Sequence, residues 1–204
     1  MNYEQIVSGI EQGSDEWLAL RAGCLSGSIM SGIVSKGKVH NDLVLKLACE
    51  RITGNPISTF VKTDAMQRGN DLEQHAREAY EAETGNIVSE VTLVKHSTLN
   101  HCISSPDGLI FSENGGIEIK CRLIYNHLGF KLNREIPKEH LLQMQWLIMC
   151  AGLDFVDYVN YCPEIGKPHD LLIDRVLPDK EMQELILKRV SETNQEIEDL
   201  LFAL

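Results

Sequence analysis

Three residues near the middle of the chain, Asp107, Glu118 and Lys120, are of types that hydrolytic chemistry uses. Asp107 lies in a Ser-Pro-Asp-Gly sequence, which predicts a turn because proline restricts φ and glycine relaxes it. The apolar residues 109–111 then predict a short strand, and the Ser-Glu-Asn-Gly-Gly sequence at 112–116 predicts a hairpin loop. We therefore expect the aspartate and the Glu-x-Lys segment to lie on paired strands.

The return strand alternates, with Ile117 and Ile119 on one face and Glu118 and Lys120 on the other. An ordinary amphipathic strand shows the same alternation, so the strand alone indicates no chemistry. Asp107 at the mouth of the same hairpin makes the difference, because two carboxylates in one small volume need a cation to neutralise them. Oxygen ligands favour magnesium or manganese. The lysine is then placed to stabilise a developing phosphate charge or to orient a water molecule.

The composition is typical of a globular intracellular protein with little positive charge. A chain of 204 residues that is 43% hydrophobic can form one large domain, and we expect a single domain over residues 1–204. No run of about eighteen apolar residues and no basic-apolar leader occurs, so neither a membrane span nor a signal peptide is predicted. The formal net charge of −11 argues against strong non-specific binding to nucleic acid. A locally basic groove on an acidic exterior remains compatible with this charge.

The cysteines and histidines show no metal-binding spacing. No Cys-x-x-Cys pair and no His-x-x-x-His pair occurs. We therefore predict reduced, mostly buried thiols rather than zinc or iron–sulfur ligands. The six cysteines are Cys24, Cys49, Cys102, Cys121, Cys150 and Cys162.

The rest of the chain predicts a mixed sheet surrounded by helices, which is an α/β fold. Predicted helices follow the cap Ser14, begin at Asn41 or Asp42, run over 64–84 with a possible break at Gly69, and occupy 138–151 and 178–204. Predicted strands occupy 87–95, 155–162 and 170–176. The region 122–138 is the most basic part of the chain and is predicted as a loop. Its basic and aromatic residues suit contact with a nucleic-acid strand, or are ordinary loop chemistry.

Two polar residues on predicted helices have a structural and a functional interpretation. Glu73 lies one turn before Arg77, so it forms an exposed ion pair or faces the hairpin and joins its acids. Gln143 shares an apolar stripe with Trp146, and a buried amide needs hydrogen-bond partners. Those partners are water or a carboxylate in an active site, or groups that satisfy an ordinary core amide.

Arg21 also has two interpretations. It precedes a Ser-Gly-Ser segment, 26–28, that leads into a predicted helix N-terminus. An arginine, hydroxyl groups and free backbone N–H groups together make a phosphate pocket. A surface arginine beside ordinary capping serines would show the same pattern.

Four sequence blocks, in this order, resemble the lambda-exonuclease (YqaJ-type viral recombinase) branch of the PD-(D/E)XK nuclease superfamily. The blocks are GSDEWLALRAGCLSGS, AMQRGNDLEQHAREAYEAETG, SSPDGLIFSENGGIEIKC and HLLQMQWLIMCAG. The resemblance covers roughly Gln12 to Cys162 and includes the signature of Asp107 followed by Glu118-x-Lys120. It departs from the family at Arg122, where a family member has proline.

The resemblance implies a restriction-endonuclease-like core and a particular reaction. Family members digest one strand of linear double-stranded DNA processively, 5′ to 3′, with Mg²⁺, for which Mn²⁺ can substitute. They leave 3′ overhangs for a single-strand annealing protein, and several form homotrimer rings around DNA. A phage or prophage protein in the bacterial cytoplasm is implied. The residues leave two alternatives open: an endonuclease or resolvase on the same fold, and a non-catalytic DNA-binding module.

The resemblance also implies roles for individual residues. Asp107 and Glu118 correspond to metal-binding acids, assisted by the carbonyl of Ile119 and by Glu73. Lys120 corresponds to the residue that activates water or stabilises the transition state. The remaining correspondences are Gln143 for the active-site glutamine, Arg21 and Ser28 for the 5′-phosphate pocket, and Met66 for an apolar wedge at the DNA end.

Overall fold

The computed structural model describes residues 5–57 and 64–204. In these ranges the chain has a mixed α/β fold of seven α-helices and two four-stranded sheets. The strands are β1 (Ile6–Val7), β2 (Leu25–Ser26), β3 (Leu93–Lys95), β4 (Cys102–Ser104), β5 (Gly108–Ile110), β6 (Gly115–Cys121), β7 (Phe155–Tyr161) and β8 (Leu171–Val176). The helices are α1 (Asp15–Arg21), α2 (Met30–Val34), α3 (Lys38–Thr53), α4 (Asp64–Thr84), α5 (Ile124–Asn133), α6 (Lys138–Ala151) and α7 (Lys180–Phe202).

The predicted hairpin forms one edge of the second sheet, whose strand order is β5-β6-β7-β8. Strands β5 and β6 are antiparallel, β6 and β7 are parallel, and β7 and β8 are antiparallel. A parallel pair needs a long crossover, and α5 and α6 lie in the connection between β6 and β7. The first sheet has the order β1-β3-β4-β2, with β2 and β4 parallel.

The two faces of β6 pack against different helices, as the alternation predicts. Ile117 and Ile119 belong to an apolar cluster with Ala76 and Tyr80 of α4. The opposite face, which carries Glu118, is turned toward α6. The hairpin is therefore packed between two helices, one on each side of the sheet.

Helix α6 is held against both sheets. Its Trp146 is fully buried, and the indole N–H donates a hydrogen bond to the carbonyl of Ile103 in β4, 2.8 Å away. Met144 and Leu147 of the same helix pack in a cluster with Val156 of β7. These contacts fix the helix that carries Gln143 relative to both sheets.

Several helix boundaries confirm the local predictions. The Ser14 side chain accepts a hydrogen bond from the backbone N–H of Trp17 and caps α1. Helix α6 ends at Gly152, whose φ of +63° suits glycine. The predicted break at Gly69 is wrong, because α4 continues through it. An isolated helical glycine costs only about 1 kcal/mol, and the packing of the Ala76 face offsets that cost.

Three other predictions of secondary structure need correction. The region predicted as a loop at 122–138 contains α5, where His127 and Phe130 are buried one turn apart. The exposed apolar residues of this helix obscure its periodicity: Ile124, Tyr125, Leu128 and Leu132. Helix α3 begins at Lys38, before the predicted start. The strand predicted over 87–95 is shorter, covering Leu93–Lys95 with an isolated bridge at Ser89.

The cysteines are free, as predicted, but only half of them are buried. Cys102, Cys150 and Cys162 are buried, whereas Cys49 is exposed. In the described ranges, none of the helices combines the length and the apolar character that crossing a membrane requires.

Gly108 of β5 lies so close to its neighbours that a larger side chain there would clash. A Cβ at Gly108, directly after Asp107, would lie 2.2 Å from Val88 Cγ1 and 3.2 Å from Ile117 Cδ1. Gly108→Ala should therefore lower the free energy of unfolding by about 1–3 kcal/mol through overpacking. Gly129→Ala, in α5 with nothing within 4 Å of the added Cβ, should raise it by about 0.5–1 kcal/mol. Urea unfolding of both variants checks the pair, and a neutral Gly108→Ala would contradict the packing.

Candidate active site

The Asp107 side chain is hydrogen-bonded to β6, the strand that carries Glu118 and Lys120. Its Oδ2 accepts a hydrogen bond of 2.6 Å from the backbone N–H of Ile119. The bond crosses the mouth of the hairpin and fixes the carboxylate beside Glu118 and Lys120. The structure thus brings together the three residues that the sequence singled out.

Glu118 is the most enclosed of these side chains, with 1% of its surface exposed. Its Oε1 accepts a hydrogen bond of 2.5 Å from Lys120 Nζ, and its Oε2 accepts one of 2.9 Å from Gln143 Nε2. The partner of the predicted buried glutamine is therefore a carboxylate of the hairpin. Lys120 and Gln143 hold the two oxygens of one carboxylate from opposite elements.

Glu73 forms the ion pair that its spacing predicts, but the pair is not exposed, because Arg77 is buried. Arg77 Nη2 donates to Glu73 Oε1 over 2.9 Å, which is the expected ion pair one turn apart. The same guanidinium donates to the backbone carbonyl of Asp107 over 3.2 Å and pairs with Glu90 over 2.6 Å. Arg77 therefore holds Glu73 close to the turn that carries Asp107.

Burial and neighbouring carboxylates disfavour ionisation of the acids. The pKa of Glu118 is raised to about 7, chiefly by burial and also by Asp107, while Lys120 opposes the shift. Burial and the neighbouring Asp107 raise the pKa of Glu73 to about 7. Burial also raises the pKa of Asp107.

Lys120 remains a cation. Burial by itself lowers the pKa of Lys120, but the carboxylates of Glu118 and Asp107 outweigh it, and the net shift is upward. Arg77 is a second cation, paired with Glu73. Two cations do not balance three carboxylates, so the cluster favours additional positive charge.

The donor set fits a hard divalent cation that is only partly enclosed by protein. Within residues 5–57 and 64–204, no group of three or more His, Cys, Asp or Glu side chains forms a ready metal cage. Magnesium is usually held by one or two carboxylates together with water and substrate phosphates. Asp107 and Glu118 are carboxylates of this kind, and burial raises the pKa of both.

Arg21 lies in a pocket of hydroxyl groups. Its Nη1 donates to Ser105 Oγ over 2.8 Å. Its Nη2 donates to Ser26 Oγ over 3.2 Å and to Ser28 Oγ over 3.1 Å. The guanidinium also lies 4.1 Å from the centroid of the Trp17 ring. Burial lowers the pKa of Arg21 to about 10, so the group stays charged at neutral pH.

The hydroxyl pocket adjoins the acid cluster. A Cβ at Gly27 would lie 3.1 Å from Gln143 Cγ, so the Ser26–Ser28 segment contacts the glutamine that holds Glu118. Ser105 lies two residues before Asp107. Ser105 was not predicted as part of the pocket, although it begins the Ser-Pro-Asp-Gly turn that carries Asp107.

A second hydrogen-bonded group beside the acids was not predicted. Arg122 Nη2 donates to Tyr158 Oη over 2.7 Å, and His140 Nδ1 lies 2.6 Å from the same oxygen. The residue at which the sequence departs from the family, Arg122, is therefore tied to β7. Met66 falls within α4, but its side chain lies outside the described residues, so its predicted position is untested.

The protein has a mixed α/β fold with a buried cluster of acids and a lysine. The family model of the YqaJ-like viral recombinase domain matches residues 16–154. The match covers more than half of the chain, and the chain belongs to this family.

Solved structures agree with the family assignment. An alkaline exonuclease (LHK-Exo) from Laribacter hongkongensis matches with a TM-score of 0.81 and 32% sequence identity, over 92% of this chain and 96% of that one. A second structure of that exonuclease, in complex with dAMP, matches equally well. A phage related exonuclease from Haemophilus somnus shares the fold, with a TM-score of 0.70 and 15% identity over 88% of this chain and 96% of that one. No curated protein sequence matches the chain. The family and the first structure support a phage-type exonuclease.

Proposed function

We propose that the chain is a Mg²⁺-dependent exonuclease that digests the 5′-ended strand of linear double-stranded DNA. It leaves 3′ single-stranded overhangs for recombination through a single-strand annealing protein. The observation that carries the proposal is Glu118, bonded to Lys120 and Gln143 beside Asp107. The likeness to an exonuclease that also crystallised with dAMP supports a deoxynucleotide as product.

Asp107 and Glu118 are the proposed Mg²⁺ ligands, with the Ile119 carbonyl and Glu73 contributing. Mn²⁺ would fit the same oxygen donors. A divalent cation bound there would polarise the scissile phosphate and lower the pKa of an attacking water. Ile119 fixes the orientation of Asp107, and Gln143 fixes that of Glu118.

Lys120 supplies a positive charge beside the carboxylates. Its ammonium stays protonated beside the carboxylates and can stabilise the charge that develops on the phosphate. Gln143 keeps the Glu118 carboxylate in its orientation. Neither residue has to gain or lose a proton to perform these roles.

The Arg21 pocket is proposed to bind the 5′ phosphate. A guanidinium flanked by three hydroxyl groups matches the acceptors of a terminal phosphate. Because Gly27 brings the pocket against Gln143, a phosphate bound there lies close to the acid cluster. A 5′ phosphate held in this pocket would set the register for release of one nucleotide at a time. Met66 is proposed, on the family resemblance, as the wedge that separates the terminal base pairs.

The assembly and location are proposals from the same family relationship. Residues 1–204 would form one exonuclease domain, and three copies would form a ring around DNA in the bacterial cytoplasm. A ring reconciles the net charge of −11 with DNA binding, since the acidic surface can face outward.

Digestion of a linear duplex, labelled at one 5′ or 3′ end at a time, tests the reaction. With Mg²⁺ we expect loss of the 5′-ended strand from each end, no reaction with EDTA, and an intact closed circular plasmid. Lys120→Met should reduce cleavage by about 10²–10³-fold, as removal of a transition-state charge does, while DNA binding persists. Nicking of the circle would instead indicate an endonuclease, and no cleavage with either metal would indicate a binding module.

Arg21 variants test the pocket. Arg21→Gln should reduce the preference for 5′-phosphorylated over 5′-hydroxyl ends by about 10–100-fold, because a charged hydrogen-bond donor is lost. Arg21→Lys keeps the charge without the planar fork and should fall between wild type and Arg21→Gln. Initial rates on matched duplexes with the two kinds of end give the ratio. An unchanged ratio in Arg21→Gln would contradict the proposal that this pocket binds the 5′ phosphate.

A further inference from the structure

Asn160 on β7 is a buried amide without partners. Its side chain is fully buried, and neither its Oδ1 nor its Nδ2 has a hydrogen-bond partner in the described part of the chain. Buried amides are almost always hydrogen-bonded because an unpaired one costs free energy. A group of this kind next to an active site calls for a functional explanation.

The strand register places Asn160 beside Lys120. In the parallel pair of β6 and β7, Lys120 is opposite Asn160 and Glu118 is opposite Tyr158. Neighbouring strands lie about 4.8 Å apart, and paired residues project from the same face of a sheet. Asn160 therefore shares the face that carries the Glu118 and Lys120 side chains.

Asn160 also has a fixed neighbour on its own strand, Tyr158, two residues earlier. The Tyr158 hydroxyl is held between Arg122 and His140 at 2.7 and 2.6 Å. Burial, with the charges of Lys120 and Arg122, lowers the pKa of His140 to about 4, so this imidazole is neutral at neutral pH. Burial raises the pKa of Tyr158, and nearby Asn160 is one of the groups that oppose this shift, yet no hydrogen bond of good geometry joins the two side chains.

Lys120 needs a second acceptor for a simple reason. Its ammonium occupies Glu118 Oε1, and Gln143 occupies Oε2. A cation that binds Glu118 must compete with the lysine for the same carboxylate. If the cation displaced the Lys120 ammonium from Glu118, the ammonium would lose a hydrogen bond. Water would replace that bond poorly, because the lysine side chain is only 28% exposed.

We propose that Asn160 is a positioning residue for Lys120. Its Oδ1 accepts a hydrogen bond from the lysine ammonium when Glu118 binds a divalent cation, and its Nδ2 then donates to Tyr158 Oη. The amide so lowers the cost of freeing Glu118 and keeps the ammonium beside the reacting phosphate. This inference rests on the proposed function for its catalytic part, whereas its effect on cation binding can be measured without DNA.

The variants Asn160→Thr and Asn160→Val form a matched pair, because they share a shape and differ in one hydroxyl acceptor. Calorimetric titration with Mn²⁺ in the absence of DNA measures cation affinity. Asn160→Val should weaken the affinity about tenfold, as loss of a hydrogen bond to a charged group does, and Asn160→Thr should weaken it less. In a Lys120→Met background the two variants should bind Mn²⁺ equally, since no ammonium needs the acceptor.

Two further measurements separate positioning from a structural role. On linear duplex with Mg²⁺, Asn160→Val should lower kcat with little change in KM. Its thermal unfolding temperature should be unchanged or higher, because an apolar side chain replaces an unpaired amide.

Equal Mn²⁺ affinities for the Thr and Val variants would overturn the inference. So would a difference between them that persists without Lys120, or a loss of thermal stability at unchanged affinity, which would make Asn160 a purely structural residue. If the wild-type protein cleaves no DNA but the Mn²⁺ difference is seen, the proposed function fails and the pairing of Asn160 with Lys120 stands.

Discussion

The structure depends on one constraint, which is the cost of burying Glu118 next to Asp107. A buried carboxylate is tolerated only with hydrogen bonds and opposite charge around it. Lys120 from the same strand and Gln143 from α6 supply part of this compensation. Helix α6 must therefore lie against the face of the sheet that carries Glu118. The hydrogen bond from its Trp146 to Ile103 of β4 holds the helix there.

The two sheets contribute different parts of the site. The second sheet supplies the acids and the lysine through β5 and β6. The first sheet supplies Ser26 and, directly after β4, Ser105, which hold Arg21. Gly27 allows the two parts to meet, because a larger residue there would press against Gln143. The Arg21 pocket and the acid cluster are therefore neighbours, because Gly27 packs against the Gln143 side chain and Ser105 lies in the same turn as Asp107.

Local patterns predicted the parts of the site that depend on short spacings. A two-residue alternation was enough to place Glu118 and Lys120 on one face, and a turn signal placed Asp107 at its mouth. The short spacing also placed Ser26 and Ser28 near Arg21. Its third partner, Ser105, could not be predicted in the same way, since it is 84 residues away in sequence. The group of Arg122, Tyr158 and His140 was missed for the same reason.

Errors arose where tertiary packing overrides local preference. Helix α5 was taken for a loop because its buried residues, His127 and Phe130, are outnumbered by exposed apolar ones. In α7, Ile186 and Val190 are buried, whereas the adjacent apolar residue Leu185 is 42% exposed. In both helices the apolar pattern was broader than the face that packs.

The central claim is that the buried acids form a site for a divalent cation, and proton release on binding tests it most directly. Because the pKa values of Glu118 and Glu73 are raised to about 7, part of the cluster is protonated at pH about 6.5, above the usual carboxyl range. A cation binds the ionised form and must displace those protons. Titration with Mn²⁺ in buffers of different ionisation enthalpy should therefore show proton release that shrinks in Glu118→Gln. Binding without proton release, or equal release in Glu118→Gln, would contradict the account.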